Sequence, residues 1–227
     1  MRYDAAFLDV DGTLLWVDLD VEGYVDDLAT YATNGPLTVE KAAGPVWSGL
    51  RRHIEQNIEH RTWEDLAGFK RRNAETTARE LGIRAPSEIL TGVADRRISF
   101  NPYPESETVL NRLAQMDVGL YVVSNWDLQL AEVLDNLDWT RYFDGVVVSA
   151  VSGFEKPDAR LFEEALRMSG VERDRAVMVG NDPSTDIEGA VRAGIDTVLV
   201  DRGEGVDTSR ATFVLPDLSR LPDLLEG

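Results

Sequence analysis

The chain has 227 residues, 43% of them hydrophobic, and a formal net charge of -18. That length supports one large domain, or a core domain with a smaller insert. So acidic a surface repels nucleic-acid phosphates and anionic membrane faces, which argues against a nucleic-acid or membrane partner. Cysteine is absent, which removes disulfides, thiolate catalysis and cysteine metal sites.

Residues 1–7 carry Asp4 and only a short apolar run, so no signal peptide is expected, and no apolar stretch reaches membrane-spanning length. A cytoplasmic protein is the resulting expectation. Lysine is scarce: Lys41, Lys70 and Lys156 stand against twenty arginines. A high-salt cytoplasm and an arginine-biased genome explain that equally well.

Residues 5–10 (AAFLDV) read as a short buried strand closed by Asp11-Gly12. From Leu14 to Ser99 the pattern is helical, with no convincing strand. One helix spans 21–32 and stops at Asn34-Gly35-Pro36. A second runs from Thr38 to about Glu59, broken at Gly44-Pro45. A third opens at Thr62, an expected N-cap, and ends at Leu81-Gly82; a short fourth covers 87–95. Asn101-Pro102-Tyr103-Pro104 is a stiff, non-helical connector.

After it, helix and strand alternate. Helices at 105–115, 128–137, 159–168 and 184–193 precede apolar runs at 118–123, 146–148, 176–179 and 197–200, and a last helix covers 218–225. Alternation of this kind marks a parallel sheet covered on both faces. The first strand is thus cut off from its α/β partners by about 85 residues of helix. The expected architecture is a Rossmann-like α/β core, residues 1–14 and 100–227, carrying an inserted all-helical domain at 15–99. The insert has a net charge of about -3, so nearly all the acidity lies in the core.

Open α/β sheets place their sites at the carboxyl ends of strands. There the sequence reads Asp9-Val10-Asp11-Gly12-Thr13-Leu14, then Ser124-Asn125, then Lys156-Pro157-Asp158, then Gly180-Asn181-Asp182-Pro183-Ser184-Thr185-Asp186. Each segment alone reads more readily as a turn or a helix cap. Together, at successive strand ends, they deliver acids, a hydroxyl, an amide and a lysine to one rim.

In order and placement these four segments resemble the four motifs of the haloacid dehalogenase-like superfamily, and the helical insert sits where that family carries a C1-type cap. The resemblance covers residues 1–14 and about 100–205. It implies a phosphatase in which Asp9 is the nucleophile, forming an aspartyl-phosphate, and Asp11 is the general acid and base. Gly12 and Thr13 lie at the phosphate, Ser124 and Asn125 donate to its oxygens, and Lys156 offsets the charge and keeps Asp9 ionised. It also implies Mg²⁺, a hard cation that takes oxygen ligands, held by Asp9, the Asp11 main-chain carbonyl and an acid of the fourth motif.

The fourth motif departs from the commonest Gly-Asp pattern, because Asn181 occupies the acid's position. Asp182 is therefore the expected ligand, with Asn181 and Asp186 supporting from behind. Dehalogenases of the superfamily lack the second aspartate, so Asp11 favours phosphoryl transfer. The expected partner is a small phosphorylated metabolite. A phosphotransferase or mutase, β-phosphoglucomutase-like, is the nearest alternative; a non-catalytic binding protein that keeps the fold is the other.

Other features read as packing. His53 and His60, seven apart on an expected helix face, lie two turns apart, too far for easy chelation, and are expected to be partly exposed. Trp47, Trp63 and Trp139 read as packing residues. Trp16 and Trp126 follow catalytic segments and fit pocket lining or packing equally. The clusters Arg51–Arg52 and Lys70–Arg72 read as solvated helix faces.

Overall fold

A computed structural model describes residues 2–227; Met1 lies outside the described residues. The chain divides into two compact units. One comprises the residues up to Trp16 together with Asn101–Gly227, and the other is Val17–Phe100.

The first unit is built on a parallel sheet. Its strands are β1 (Ala5–Leu8), β4 (Gly119–Ser124), β5 (Gly145–Val148), β6 (Ala176–Gly180), β7 (Asp196–Val200) and β8 (Phe213–Leu215), in spatial order β5-β4-β1-β6-β7-β8. Each pairing is parallel, and Ala5 aligns with Gly119 on one side and Ala176 on the other. Every residue of β1 and β6 is buried, as expected of central strands covered on both faces.

Helices α5 (Ser106–Leu113), α6 (Leu130–Asn136), α7 (Ser149–Ser152), α8 (Ala159–Ser169), α9 (Glu188–Ala193) and α10 (Leu221–Glu226) accompany the sheet. The best-defined is α8. Asp158 caps its start through the Arg160 amide, and Gly170, at φ 69°, ends it in the left-handed region that glycine tolerates best. Leu161, Phe162 and Ala165 then pack with Phe7, Val123, Met178 and Ala190 in one core cluster.

The chain runs from β1 to β4 and β5 on one side, then returns to β6 on the other. β1 is therefore the switch point, where an open α/β sheet leaves a crevice beyond its strand ends.

The second unit holds α1 (Val21–Leu28), α2 (Val39–Glu55), α3 (Trp63–Glu80) and α4 (Ser87–Arg96). Thr38 caps α2 and Thr62 caps α3, each accepting from the amide three residues on. Tyr24, Leu28, Val46, Ala74, Ala78, Leu90 and Val93 form this unit's own core. Among the described residues no helix is long and apolar enough to cross a membrane.

Several expectations need correction. Three strands differ from the expectations: β8 at the sheet edge, and β2 (Leu15–Leu19) and β3 (Ile98–Pro102), which pair with each other where the chain leaves and re-enters the first unit. Helix α2 runs straight through Gly44-Pro45. Proline removes one helical donor, but buried Ala42, Val46 and Gly49 hold the helix against that loss. The same helix stops at Glu55, and a 3-10 turn at Asn57–Glu59 takes His60 off its axis. His60 is buried and stacks on Phe69 with ring centroids 4.3 Å apart; burial lowers its pKa. Trp47 and Trp63 are exposed, and only Trp139 is a core residue. Lys70 is mostly buried and pairs with Asp95 at 2.7 Å, so it is no solvated charge.

Candidate active site

The loop after β1 is a tight turn tied to Val10. The amides of Leu14 and Leu15 donate to the Val10 carbonyl at 2.9 and 3.1 Å, and the Gly12 amide donates to the Leu15 carbonyl at 2.7 Å. Asp9 continues the β1–β6 ladder, its amide donating to Val179 at 2.9 Å. The ladder holds Asp9 in the buried end of the sheet, while Asp11, in the turn past the strand end, is exposed. The two carboxylates thus sit in different surroundings two residues apart, which suits two different tasks.

Gly12 adopts φ 78°, where a side chain is strained. A Cβ there would fall 2.3 Å from Asn181 Nδ2. Asn181 therefore packs directly on the turn, and Thr13 Oγ1 donates to its Oδ1 at 3.3 Å. Gly12→Ala is predicted to displace Asn181 and the turn, lowering turnover ~10²-fold while the protein stays folded. Steady-state kinetics alongside a thermal melt check this.

Two side chains bond Asp9 directly, one from the end of β4 and one from the loop between α7 and α8. The Ser124 hydroxyl, at the end of β4, donates to Asp9 Oδ1 at 2.9 Å. The Lys156 ammonium donates to the same oxygen at 2.7 Å and to Asp186 Oδ1 at 2.6 Å. Lys156 is 3% exposed and Asp186 fully buried.

One ammonium thus serves two buried carboxylates. Burial works against the charged lysine, but Asp186 and Asp9 outweigh it and its pKa ends above the ordinary value. Burial pushes the Asp186 carboxyl up to about 6, with Lys156 opposing and Asp9 reinforcing the rise. The cluster thus sets two carboxyl groups against one ammonium.

Lys156 is fixed by Asn125. The Asn125 side chain donates to the Lys156 carbonyl at 2.9 Å and accepts from the Lys156 amide at 2.7 Å. The Asn125 amide group, expected at the substrate, clamps the lysine loop. That role has no local signature, because the two residues are 31 apart. Next to it, the Trp126 amide and carbonyl are both held by Ser149 Oγ at 3.0 Å.

In the fourth segment Asp182 caps the π-type turn Pro183–Ile187. Its Oδ1 accepts from the amides of Ser184 and Thr185 and from the Ser184 hydroxyl. Burial would raise the Asp182 pKa, but these hydrogen bonds outweigh it and hold the carboxyl below its usual range. The Asp182 amide in turn donates to Asp186 Oδ2 at 3.0 Å. Asp186 thus reaches back to Lys156 and Asn181 faces the first loop.

The first unit thus gathers Asp9, Ser124, Lys156 and Asp186 into one hydrogen-bonded cluster, with Gly12, Thr13 and Asn181 packed together beside it. Among the described residues no three His, Cys, Asp or Glu side chains form a ready metal cage. Mg²⁺ needs none, because it keeps several waters and takes one or two carboxylates. The donors fit such a hard cation: they are oxygens, and both hydrogen bonds to Asp9 arrive at Oδ1.

The family model described as haloacid dehalogenase-like hydrolase matches residues 3–194. The chain belongs to that family and is a hydrolase. Among curated relatives, it is 31% identical over 239 residues to the glyceraldehyde 3-phosphate phosphatase of Methanothermobacter thermautotrophicus, covering 97% of this chain and 99% of that one. It is 27% identical to the pyrimidine 5'-nucleotidase YjjG of Escherichia coli, over 97% and 98%. The fold matches that of the magnesium-bound HAD-hydrolase YfnB of Bacillus subtilis, with a TM-score of 0.69 and 22% identity over all of both chains.

Proposed function

We propose that the protein is a Mg²⁺-dependent phosphatase that hydrolyses a small phosphomonoester through an aspartyl-phosphate on Asp9. The observation that carries this reading is the buried Asp9 held by Ser124 and Lys156, with exposed Asp11 two residues on. The names of the full-length relatives, phosphatase and nucleotidase, favour the same chemistry.

Asp9 attacks phosphorus, and the Lys156 ammonium beside it offsets the negative charge of nucleophile and phosphate. Ser124 turns its hydroxyl, together with nearby amides, towards the phosphoryl oxygens. Asp11 gives its proton to the leaving oxygen and then takes one from the water that attacks the acyl phosphate. The Asp9 carboxylate, the Asp11 main-chain carbonyl and Asp182 would hold Mg²⁺, which supplies charge neutralisation at the phosphoryl group. Asp182 already serves as a helix cap, and Asn181, packed against Gly12, is the neighbouring oxygen donor. The helical unit Val17–Phe100 acts as the cap that selects the substrate.

Asp11 separates this reading from dehalogenation, since halide departs without a proton. The test is phosphate release from a panel containing a triose phosphate, phosphoserine and nucleoside monophosphates, with Mg²⁺ and with chelator. Release that chelator abolishes is expected for at least one small ester. Transfer to a sugar, or no release from any ester by the folded protein, would overturn it.

A further inference from the structure

The turn that carries Asp11 has an anchor that the four motifs do not contain. Arg202 follows β7, in a loop fixed by Asp201, whose Oδ1 accepts from the amides of Gly203 and Glu204. Its guanidinium donates to the Thr13 carbonyl at 2.9 Å and, more weakly, to the Gly12 carbonyl at 3.4 Å. The same group pairs with Glu105 at 2.8 Å and lies 3.4 Å over the Tyr103 ring. Both charged partners are less than one-fifth exposed, so solvent screens the pair little.

The planar fork is engaged on its edge by two carbonyls and a carboxylate, and on its face by an aromatic ring, which lysine cannot reproduce. Tyr103 is itself fixed: its amide donates to the Leu14 carbonyl at 3.1 Å and its ring packs on Trp16 at 5.1 Å. The Ser106 hydroxyl reaches the same Leu14 carbonyl at 2.6 Å. The carbonyls of Gly12, Thr13 and Leu14 are thus all held from the 103–106 segment or from Arg202. These residues flank the two places where the chain leaves and re-enters this unit.

We propose that Arg202 is a positioning residue for Asp11. By holding the carbonyls of Gly12 and Thr13 against Tyr103 and Glu105, it keeps the turn in the one geometry that brings the Asp11 carboxyl to the leaving oxygen. This rests on the phosphatase reading. A misplaced general acid harms esters with a poor leaving group most, because a good one departs without a proton.

The experiment compares wild type, Arg202→Met, Arg202→Lys and Tyr103→Leu on an alkyl phosphate and on p-nitrophenyl phosphate. Arg202→Met is expected to lose ~10²-fold in kcat/KM, which reports the steps up to leaving-group departure, on the alkyl ester, and less than about tenfold on the aryl ester. Arg202→Lys fails to restore the alkyl activity. Tyr103→Leu keeps the guanidinium but not its support, and shows the same alkyl-selective loss to a smaller degree; it carries the test if Arg202→Met does not fold. Equal losses of kcat/KM on both esters, unchanged kinetics, or full rescue by lysine would overturn the proposal. Hydrolysis of neither ester by wild type would overturn the phosphatase reading first, and the role of Arg202 with it.

Discussion

Lys156→Met lowers the unfolding free energy by about 3–5 kcal/mol near pH 8, the usual cost of leaving buried charge without its partner. The side chain is 2% exposed and its ammonium bonds both Asp9 and Asp186, so its loss strands two carboxylates. Methionine fills similar space, so the loss is electrostatic rather than a cavity. The pH dependence identifies it. Asp186 already titrates at about 6, with burial as the main cause. Without the lysine, which opposes the rise, the Asp186 carboxyl moves further above the unfolded value of about 4. The folded variant then binds more protons than the unfolded chain, and stability falls as pH rises through that interval. Urea unfolding in chelator should therefore show a smaller deficit at pH 5 than at pH 8. The double variant Lys156→Met with Asp186→Asn removes one stranded charge and should recover a substantial part of the loss. A deficit independent of pH and unrelieved by Asp186→Asn would mean that lost packing, not charge, is responsible.

Asp9→Asn is expected to abolish phosphate release, by at least ~10³-fold, while the unfolding midpoint stays at or above that of wild type. The amide keeps an oxygen to accept from Ser124 and Lys156. It also removes one of two buried carboxylates that share a single ammonium. A site kept for chemistry at some cost in stability behaves in this way. Residual turnover within about tenfold of wild type would remove Asp9 as the nucleophile.

Much of this was legible in the sequence, because its signals are local. An apolar run followed by Asp9-Val10-Asp11-Gly12, and the later alternation of helix and strand, state a parallel sheet with acids at its strand ends. The cap at Thr62 was likewise readable three residues from its partner amide. What was missed depends on distant partners. β2 and β3 are strands only because they pair across about 80 residues. Pro45 reads as a helix breaker until Ala42, Val46 and Gly49 are seen to be buried. The bond of the Asn125 side chain to both ends of the Lys156 peptide unit is likewise invisible in a sequence that sets the two residues 31 apart. Arg202 is one of twenty arginines, and nothing near it in sequence separates it from a surface charge.

The central claim is that phosphate passes through Asp9. The most direct measurement is acid quench during turnover of a good substrate, followed by mass mapping of the chain, for wild type and Asp9→Asn. The prediction is a phosphoryl group on the peptide containing Asp9, lost in Asp9→Asn and accumulating in Asp11→Asn, where water is no longer activated. Steady phosphate release with no phosphoryl group on that peptide in either wild type or Asp11→Asn, or a label that persists in Asp9→Asn, would contradict it.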